Sequence, residues 1–574
     1  MVFSRANRKV LSVVTGTALA AGLLASPSTA IAQAAEQPGD ALHWGPCPKD
    51  VHSNPEFHMQ CATFKVPLDY SKPNGKKISI MMSRIKATGH SRGIILNNPG
   101  GPGGFGLDLW NWMITTGSDP LHKNFDLISV QPRGLQHATP LKPCVDPTIP
   151  EHEAPGKGKK KDPKKNIESA KEKADKTADE VRRLVGDIDP KDPVAKAKAE
   201  YTRCVKDYDA LFAQVNTENT ARDFDMARQY LGEQKINFYG ASYGTWLGAV
   251  YATLFPEHTG RFVLDSAVDP TGIWNRNFGD QGDMQRRRMY EMFDFIAAHD
   301  DLYHLGDTPL KVYTKWYRII EKEMQGFSTP RISAPPAQIG DVPPEFSRNV
   351  ALYLEGYNLA RPIADRIERA VHAWEAPSTK QEHNLWELTG SAFTSRSAWP
   401  KVAAYMQKPQ PKPLTKAEKE EQIISTNVFQ AVTCNENAIA PSPVNLPATA
   451  VAYFTGADFF TLKNLLVTSG VMCVGARPTT KPVQVTGANL KIRPVVLQSV
   501  YDTQTPYPGG VKMAEAMNAY LVKTEGGDHG VYVRNNPAAW KLINNYYLNE
   551  PVVTQTSLPY ATVNKMVVKS DSKK

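Results

Sequence analysis

Three groups of residues in this chain could carry out acyl transfer. The first is Gly240-Ala241-Ser242-Tyr243-Gly244, a serine set between glycines. A short β-prone run, Ile236 to Tyr239, leads into it. After it, Trp246, Leu247, Val250, Tyr251 and Leu254 recur at helical spacing. The order is strand, sharp turn, helix. A G-x-S-x-G in that context lifts the serine hydroxyl out of a sheet, and its glycines permit the tight turn. It also leaves the Tyr243 N–H facing a developing oxyanion. Without that context the motif is an ordinary glycine-rich turn.

The second group supplies another oxyanion donor. Gly93 to Asn97 reads as a strand, and "NPGGPGGFG" follows it over residues 98–106. So many glycines let bare backbone N–H groups approach a substrate. A phosphate-binding loop competes for this stretch, but G-x-x-x-x-G-K-[ST] is absent. Gly101 is the expected donor, with Gly100 next.

The third group is the acid and the base, expected in the chain order Ser, acid, His. There are 13 His, so a lone His carries little weight. Pro494 to Gln498 reads as a late strand, and Asp502 follows it, where open α/β sheets hold functional groups. A helix (Val511 to Met517) and a strand (Tyr520 to Thr524) then lead to "EGGDHGVY", with His529 between glycines. Asp528 adjoins His529, but chain neighbours rarely align their side chains. Asp265, after a strand at Arg261 to Leu264, is the runner-up acid. In the resulting chemistry Ser242 attacks an acyl carbon, His529 shuttles its proton, and Asp502 fixes the imidazole tautomer. The Tyr243 and Gly101 amides stabilise the oxyanion. No metal or organic cofactor is required.

These elements imply an α/β-hydrolase fold, a mostly parallel, doubly wound sheet. The chain has 574 residues, 41% hydrophobic and 22% charged, which excludes wholesale disorder, collagen and coiled coil. Its net charge of +9 is local. Arg5, Arg8 and Lys9 lie in the N-terminal segment, and the run from Lys157 to Lys176 sets nine lysines against four acids. The remaining body is near neutral, so charge is no argument for a nucleic-acid partner. Arg5, Arg8 and Lys9, the apolar run Val10 to Leu24 and the small residues of Ala32-Gln33-Ala34 read as a cleavable signal peptide over residues 1–34. No other run is long enough for a transmembrane segment in the mature chain. The expected location is secreted or cell-surface. Six cysteines then suggest disulfides, most simply between sequence neighbours: Cys47 with Cys61, Cys144 with Cys204, Cys434 with Cys473.

The quoted glycine loop, "INFYGASYGTWLGAVYATLFPEHTGRFVLDSAVDP", "VYDTQTP" and "GGDHG" together resemble the secreted tripeptidyl-aminopeptidase family of actinobacteria. These are α/β-hydrolases related to the proline iminopeptidases, with a characteristic C-terminal segment. The resemblance covers most of residues 44–550 and implies the same triad, Ser242, Asp502 and His529. It also implies release of short peptides, often tripeptides, from free N-termini; some relatives are esterases. Two departures stand out. Gln131-Pro132-Arg133-Gly134-Leu135-Gln136-His137-Ala138 replaces the family's D-x-R-G-x-G-x-S, and the tail after Pro551 has no cysteine.

The expected organisation is a first core part over 35–270, interrupted by a solvated, lysine-rich insertion at 150–200. A helical cap follows over 271–425, then the second core part over 426–560 and a tail over 561–574. A cap would favour short or extended chains over folded proteins. An enzyme that measures from the N-terminus needs a carboxylate for the ammonium group. "TCNEN" directly follows the cap, and the family carries an Asn-acid pair there, so Glu436 is the expected ligand. An esterase and a catalytically inactive peptide-binding scaffold are the alternatives. Oligomeric state is not legible.

Overall fold

The computed structural model describes residues 42–141 and 210–560, apart from 325–328, 374–383, 411–413, 438–443, 471–472, 474–477 and 535. The expected signal peptide, the lysine-rich insertion, Cys144, Cys204 and the tail lie outside the described residues.

One sheet organises the core. Its strands are β1 (Gly45–Pro46), β2 (Gln60–Pro67), β3 (Lys77–Ile85), β4 (Ile94–Asn98), β5 (Asp126–Val130), β6 (Ile236–Ala241), β7 (Thr259–Asp265), β8 (Val495–Ser499), β9 (Tyr520–Thr524) and β10 (Ser557–Leu558). Their spatial order is β1-β2-β3-β5-β4-β6-β7-β8-β9-β10. The pairs from β1 to β3, and β3 with β5, are antiparallel; from β5 through β10 the pairing is parallel. After β4 the chain moves outward to β5, then returns to the other side of β4 as β6. The order therefore reverses between β4 and β6. Open α/β sheets place ligands outside the carboxyl ends of their strands at such a point. The glycine loop and the serine turn both leave the sheet there.

Strand alternation fills both faces. Leu96, Phe238, Leu264 and Val496 point into one buried cluster, and their neighbours Ile95, Tyr239, Val263 and Leu497 into the other. Among the described residues the helices are α1 (Leu109–Met113), α2 (Asp119–His122), α3 (Thr217–Tyr230), α4 (Tyr243–Leu254), α5 (Asn275–Gly279), α6 (Gly282–Ala297), α7 (Asp300–Tyr303), α8 (Pro309–Glu323), α9 (Val350–His372), α10 (Asn384–Thr394), α11 (Trp399–Gln407), α12 (Lys416–Asn435), α13 (Asn445–Phe454), α14 (Phe459–Thr468), α15 (Tyr507–Ala516) and α16 (Pro537–Leu548). The first cluster takes α3, α4 and α15, and the second takes α1 and α16. α3 is started by the Asn216 side chain, which accepts from the Asn219 amide, and it ends just before Gly232 at φ 71°. No helix among the described residues is long and apolar enough to cross a membrane.

A third cluster makes the helical cap, built on Phe293, Trp316, Leu385, Phe393, Trp399 and Val402. It departs from the expected boundaries in two places. α12 runs through position 425, and its Val428, Ala431 and Val432 pack into the sheet cluster. α14 falls inside the expected second core part, yet its Phe460 belongs to the cap cluster. Helical periodicity reveals an apolar face but not the layer that face will meet. Among the described residues two disulfides are present, Cys47–Cys61 and Cys434–Cys473.

Candidate active site

Ser242 sits between β6 and α4 at φ 57°, ψ −124°, a conformation that non-glycine residues adopt only where the surroundings impose it. Its neighbours explain the flanking glycines. A Cβ on Gly240 would lie 2.3 Å from the Gly244 carbonyl oxygen, and one on Gly244 would lie 2.5 Å from the Asn98 carbonyl oxygen. The Ser242 amide donates to the Asp265 carbonyl (2.9 Å), which fastens the turn to β7.

The glycine loop closes over this turn. A Cβ on Gly100 would come within 2.8 Å of the Ser242 Cβ and 3.2 Å of the Tyr243 nitrogen. The Gly100 amide donates to Asn98 Oδ1 (3.0 Å), so it is engaged within its own loop. The Tyr243 amide opens α4 and has no intrahelical acceptor. Among the described residues no acceptor takes the Gly101 amide either. The Tyr243 amide, next to the serine, and the Gly101 amide, next to Gly100, are thus both unengaged among the described residues. Gln131, where the family pattern has Asp, contacts this loop: its Oε1 accepts from the Gly106 amide (3.4 Å). Arg133 is fully buried against Asp223, donating through Nε (2.7 Å) and Nη2 (2.6 Å).

The imidazole of His529 meets Asp502 through Nδ1, at 2.9 and 3.1 Å from the two carboxylate oxygens. Asp502 also accepts from the Gln504 and Thr505 amides, each at 2.9 Å. Burial opposes its ionisation. The charge and hydrogen bond of His529 and the Thr505 amide outweigh burial, and the carboxyl titrates below its usual range. An ionised Asp502 orients Nδ1–H toward itself and leaves Nε2 as the basic nitrogen. The Thr505 hydroxyl lies 3.4 Å from Nδ1.

Asp265, the runner-up acid, is committed elsewhere. Its carboxylate accepts from the Val531 and Tyr532 amides (2.7 and 2.8 Å) and the Tyr239 hydroxyl (2.7 Å), while Ser266 Oγ accepts from the Gly530 amide (2.7 Å). With its backbone holding Ser242 and its side chain holding the His529 loop, Asp265 fixes one against the other.

The cap reaches the same loops. At the end of α10, the Phe393 carbonyl accepts from Thr503 Oγ1 (3.1 Å) and the Thr394 carbonyl from the His529 amide (2.9 Å). Asp528 accepts from the Arg396 amide (2.8 Å) and is ion-paired with Arg288 of α6. On the other side, Ser425 Oγ of α12 donates to the Gly103 carbonyl (2.8 Å). Sequence reasoning missed Thr505, Arg288 and Ser266. Only the placement of Thr505 beside Asp502 was readable, because the others act across long separations.

Glu436 ends α12 and is buried, behind Tyr243. Its Oε1 accepts from the Thr217 hydroxyl (2.6 Å), which also meets the Tyr243 hydroxyl (2.9 Å), and from Trp274 Nε1 (3.3 Å). Burial pushes its carboxyl up to about 7, against the opposing pull of those hydrogen bonds. Among the described residues no lysine or arginine is paired with it.

Comparison with known proteins agrees with this architecture. Residues 93–314 match a family model for the α/β-hydrolase fold, and residues 460–556 match one for TAP-like proteins. A tripeptidyl aminopeptidase of Streptomyces coelicolor is 37% identical over 287 residues, 48% of this chain and 48% of that protein. The chain thus spans about half the length of that relative. The serine protease Hip1 of Mycobacterium tuberculosis is 24% identical over 530 residues, 89% of each chain. Carboxylesterase B of the same species is 24% identical over 575 residues, 95% of this chain and 96% of that one. The fold is that of the α/β-hydrolases, and the relatives the chain resembles include a tripeptidyl aminopeptidase and a serine protease. Within that fold the chain is similar to tripeptidyl aminopeptidases over about half its length, and its residues 460–556 resemble TAP-like proteins.

Proposed function

We propose that this protein is an exported serine peptidase that releases short peptides, tripeptides by preference, from free N-termini. Ser242 is the nucleophile. His529 Nε2 takes its proton as Oγ bonds to the acyl carbon, and the negative oxygen is met by the Gly101 and Tyr243 amides. His529 then returns the proton to the leaving amine as the C–N bond breaks. Water, activated by the same imidazole, hydrolyses the acyl-enzyme and regenerates Ser242. Each oxyanion donor is worth about 2.7–4 kcal/mol of barrier.

The observation that carries this reading is the left-handed Ser242 turn clamped through Asp265 to the His529–Asp502 pair. Glu436, a buried carboxylate with no cationic partner among the described residues, is the ligand for the substrate ammonium. The signal-like pattern of residues 1–34 and two disulfides support export. Esterase action is the second reading, favoured by the alignment with carboxylesterase B over nearly the whole chain.

The test pairs a tripeptide anilide bearing a free N-terminus with its N-acetylated twin. Cleavage of the free peptide alone, abolished by Ser242→Ala, is the expected result. Turnover of a nitrophenyl ester with neither peptide cleaved replaces the peptidase reading with the esterase.

A further inference from the structure

α9 packs Leu354 and Tyr357 against the cap cluster but leaves a second apolar face uncovered. Of its 23 residues only Asp365 is buried. Several of its polar groups are engaged by neighbouring segments. Asp365 accepts from the Ala334 amide (3.2 Å), Asn358 exchanges hydrogen bonds with the Ala337 backbone (2.7 and 3.1 Å), and Arg366 and Arg369 donate to the Thr455 and Gly456 carbonyls (2.8 Å each). Its aliphatic side chains face solvent, with Leu352, Leu359, Ile363, Ile367 and Val371 between 61% and 74% exposed. At about 100° per residue these five and Gly356 share an arc of roughly 120° with no charged residue in it. Ile363 and Ile367 border a groove of about 420 Å³ that Thr455, after α13, helps to line. Patches of this kind mark interaction sites.

We propose that this face of α9 is the interface of a two-fold dimer, its occupant being α9 of a second copy. Three observations select that partner. Within the ridge of Leu359, Ile363, Ile367 and Val371, Ile363 and Ile367 form one wall of the groove that Pro362, Arg366, Ala370 and Thr455 complete. A two-fold axis across the helix sets the two apolar ridges against each other in antiparallel directions. Glu355 and Arg366 border the same edge of the arc, on opposite sides of its midpoint. The two-fold operation keeps that edge and reverses chain direction, so Glu355 of each copy meets Arg366 of the other. Glu355 is exposed and has no ion-pair partner among the described residues. A Cβ on Gly356 would have nothing within 4 Å, which leaves room for a close helix approach.

The size also fits. A 23-residue helix is about 34 Å long and about 10 Å wide. That outline is about 340 Å² before side-chain relief, and exposed Val451 and Phe454 of neighbouring α13 extend it toward the ~800 Å² per partner of stable interfaces. A lipid surface fits less well, because the three arginines of α9 are balanced by Glu355, Asp365 and Glu368, whereas interfacial helices carry an excess of lysine and arginine.

The experiment is sedimentation of the purified mature chain from about 1 to 50 μM, with nitrophenyl-ester turnover and circular dichroism as controls for folding. Wild type is expected to sediment as a dimer, and Ile363→Asp as an active monomer. Glu355→Arg and Arg366→Glu are each expected to weaken association by about tenfold or more. Combined, they should restore it to within about threefold of wild type. That rescue stands even if Ile363→Asp misfolds. A monomeric wild type across the range, or single losses that multiply in the double variant, overturns the proposal. So does a monomer that co-sediments with phosphatidylglycerol vesicles through the same residues.

Discussion

Arg288 of the cap and Asp528, the residue before His529, form an ion pair withdrawn from solvent, their side chains 2% and 11% exposed. Arg288 also donates to the Tyr560 hydroxyl and lies over the Trp399 ring at 4.7 Å, while Asp528 takes the Arg396 amide. The cap and the His529 loop are thus joined through one carboxylate. Removing one partner of a buried pair leaves a desolvated charge and costs about 3–5 kcal/mol. Arg288→Gln should therefore lower the melting temperature by several degrees. It should also lower kcat for tripeptide anilide once active sites are counted with a fluorophosphonate. A melting shift with unchanged kcat per site would show that the pair supports the cap alone.

Asp502→Asn tests the tautomer argument. The amide keeps the shape but can donate to Nδ1, which favours the proton on Nε2, where the base must be free. A loss of about 10⁴ in kcat with little change in KM is expected. A larger rise in KM than fall in kcat would place Asp502 in substrate binding.

Gly100→Ala probes the closure of the glycine loop on the elbow. Its new methyl would lie 2.6 Å from the Ala241 carbonyl oxygen and 2.8 Å from the Ser242 Cβ, at a position with φ 104°. The loop must retreat and carry Gly101 with it, so kcat should fall by about 10²–10³, the usual loss for one oxyanion donor. The rate of phosphonate labelling of Ser242 should fall in parallel, because that reaction also builds charge on an oxygen.

Glu436 predicts a pH dependence of stability. Burial raises its folded pKa to about 7, above the ordinary value of 4.5. The folded state therefore holds more protons between those values. The resulting stability is complete below about 4.5 and is lost as pH rises through about 7, an effect on the order of 3 kcal/mol. Glu436→Gln should flatten that part of the curve in urea denaturation at pH 4.5, 6 and 8. If the carboxylate receives the substrate ammonium, binding of a free-N-terminus tripeptide to the Ser242→Ala protein near pH 7 should also release a proton. Calorimetry in two buffers of different ionisation enthalpy reads that release, and no release would remove Glu436 from substrate recognition.

The strand-turn-helix around Ser242, the glycine loop after β4 and the strand-end position of Asp502 were legible in the chain. Each rests on local chemistry. Glycine is needed where φ is positive or a Cβ would clash, apolar residues alternate along strands, and the acid and base lie one β-α-β step apart. Pairing of Cys47 with Cys61 and of Cys434 with Cys473 was likewise readable, since neighbours in sequence close the shortest loops.

Tertiary structure alone decided the rest. Asp265 and Asp502 follow parallel strands and look alike in sequence, but only Asp502 meets His529; Asp265 is spent on backbone amides. α14 has an ordinary apolar face, and the fold lays it on the cap rather than the sheet. Asp528 is ion-paired with a residue 240 positions away, and Glu436 is buried by Thr217 and Trp274 from two other segments. Burial and charge pairing are properties of neighbours in space. A chain states which side chains can ionise or pack, and the fold chooses the partners.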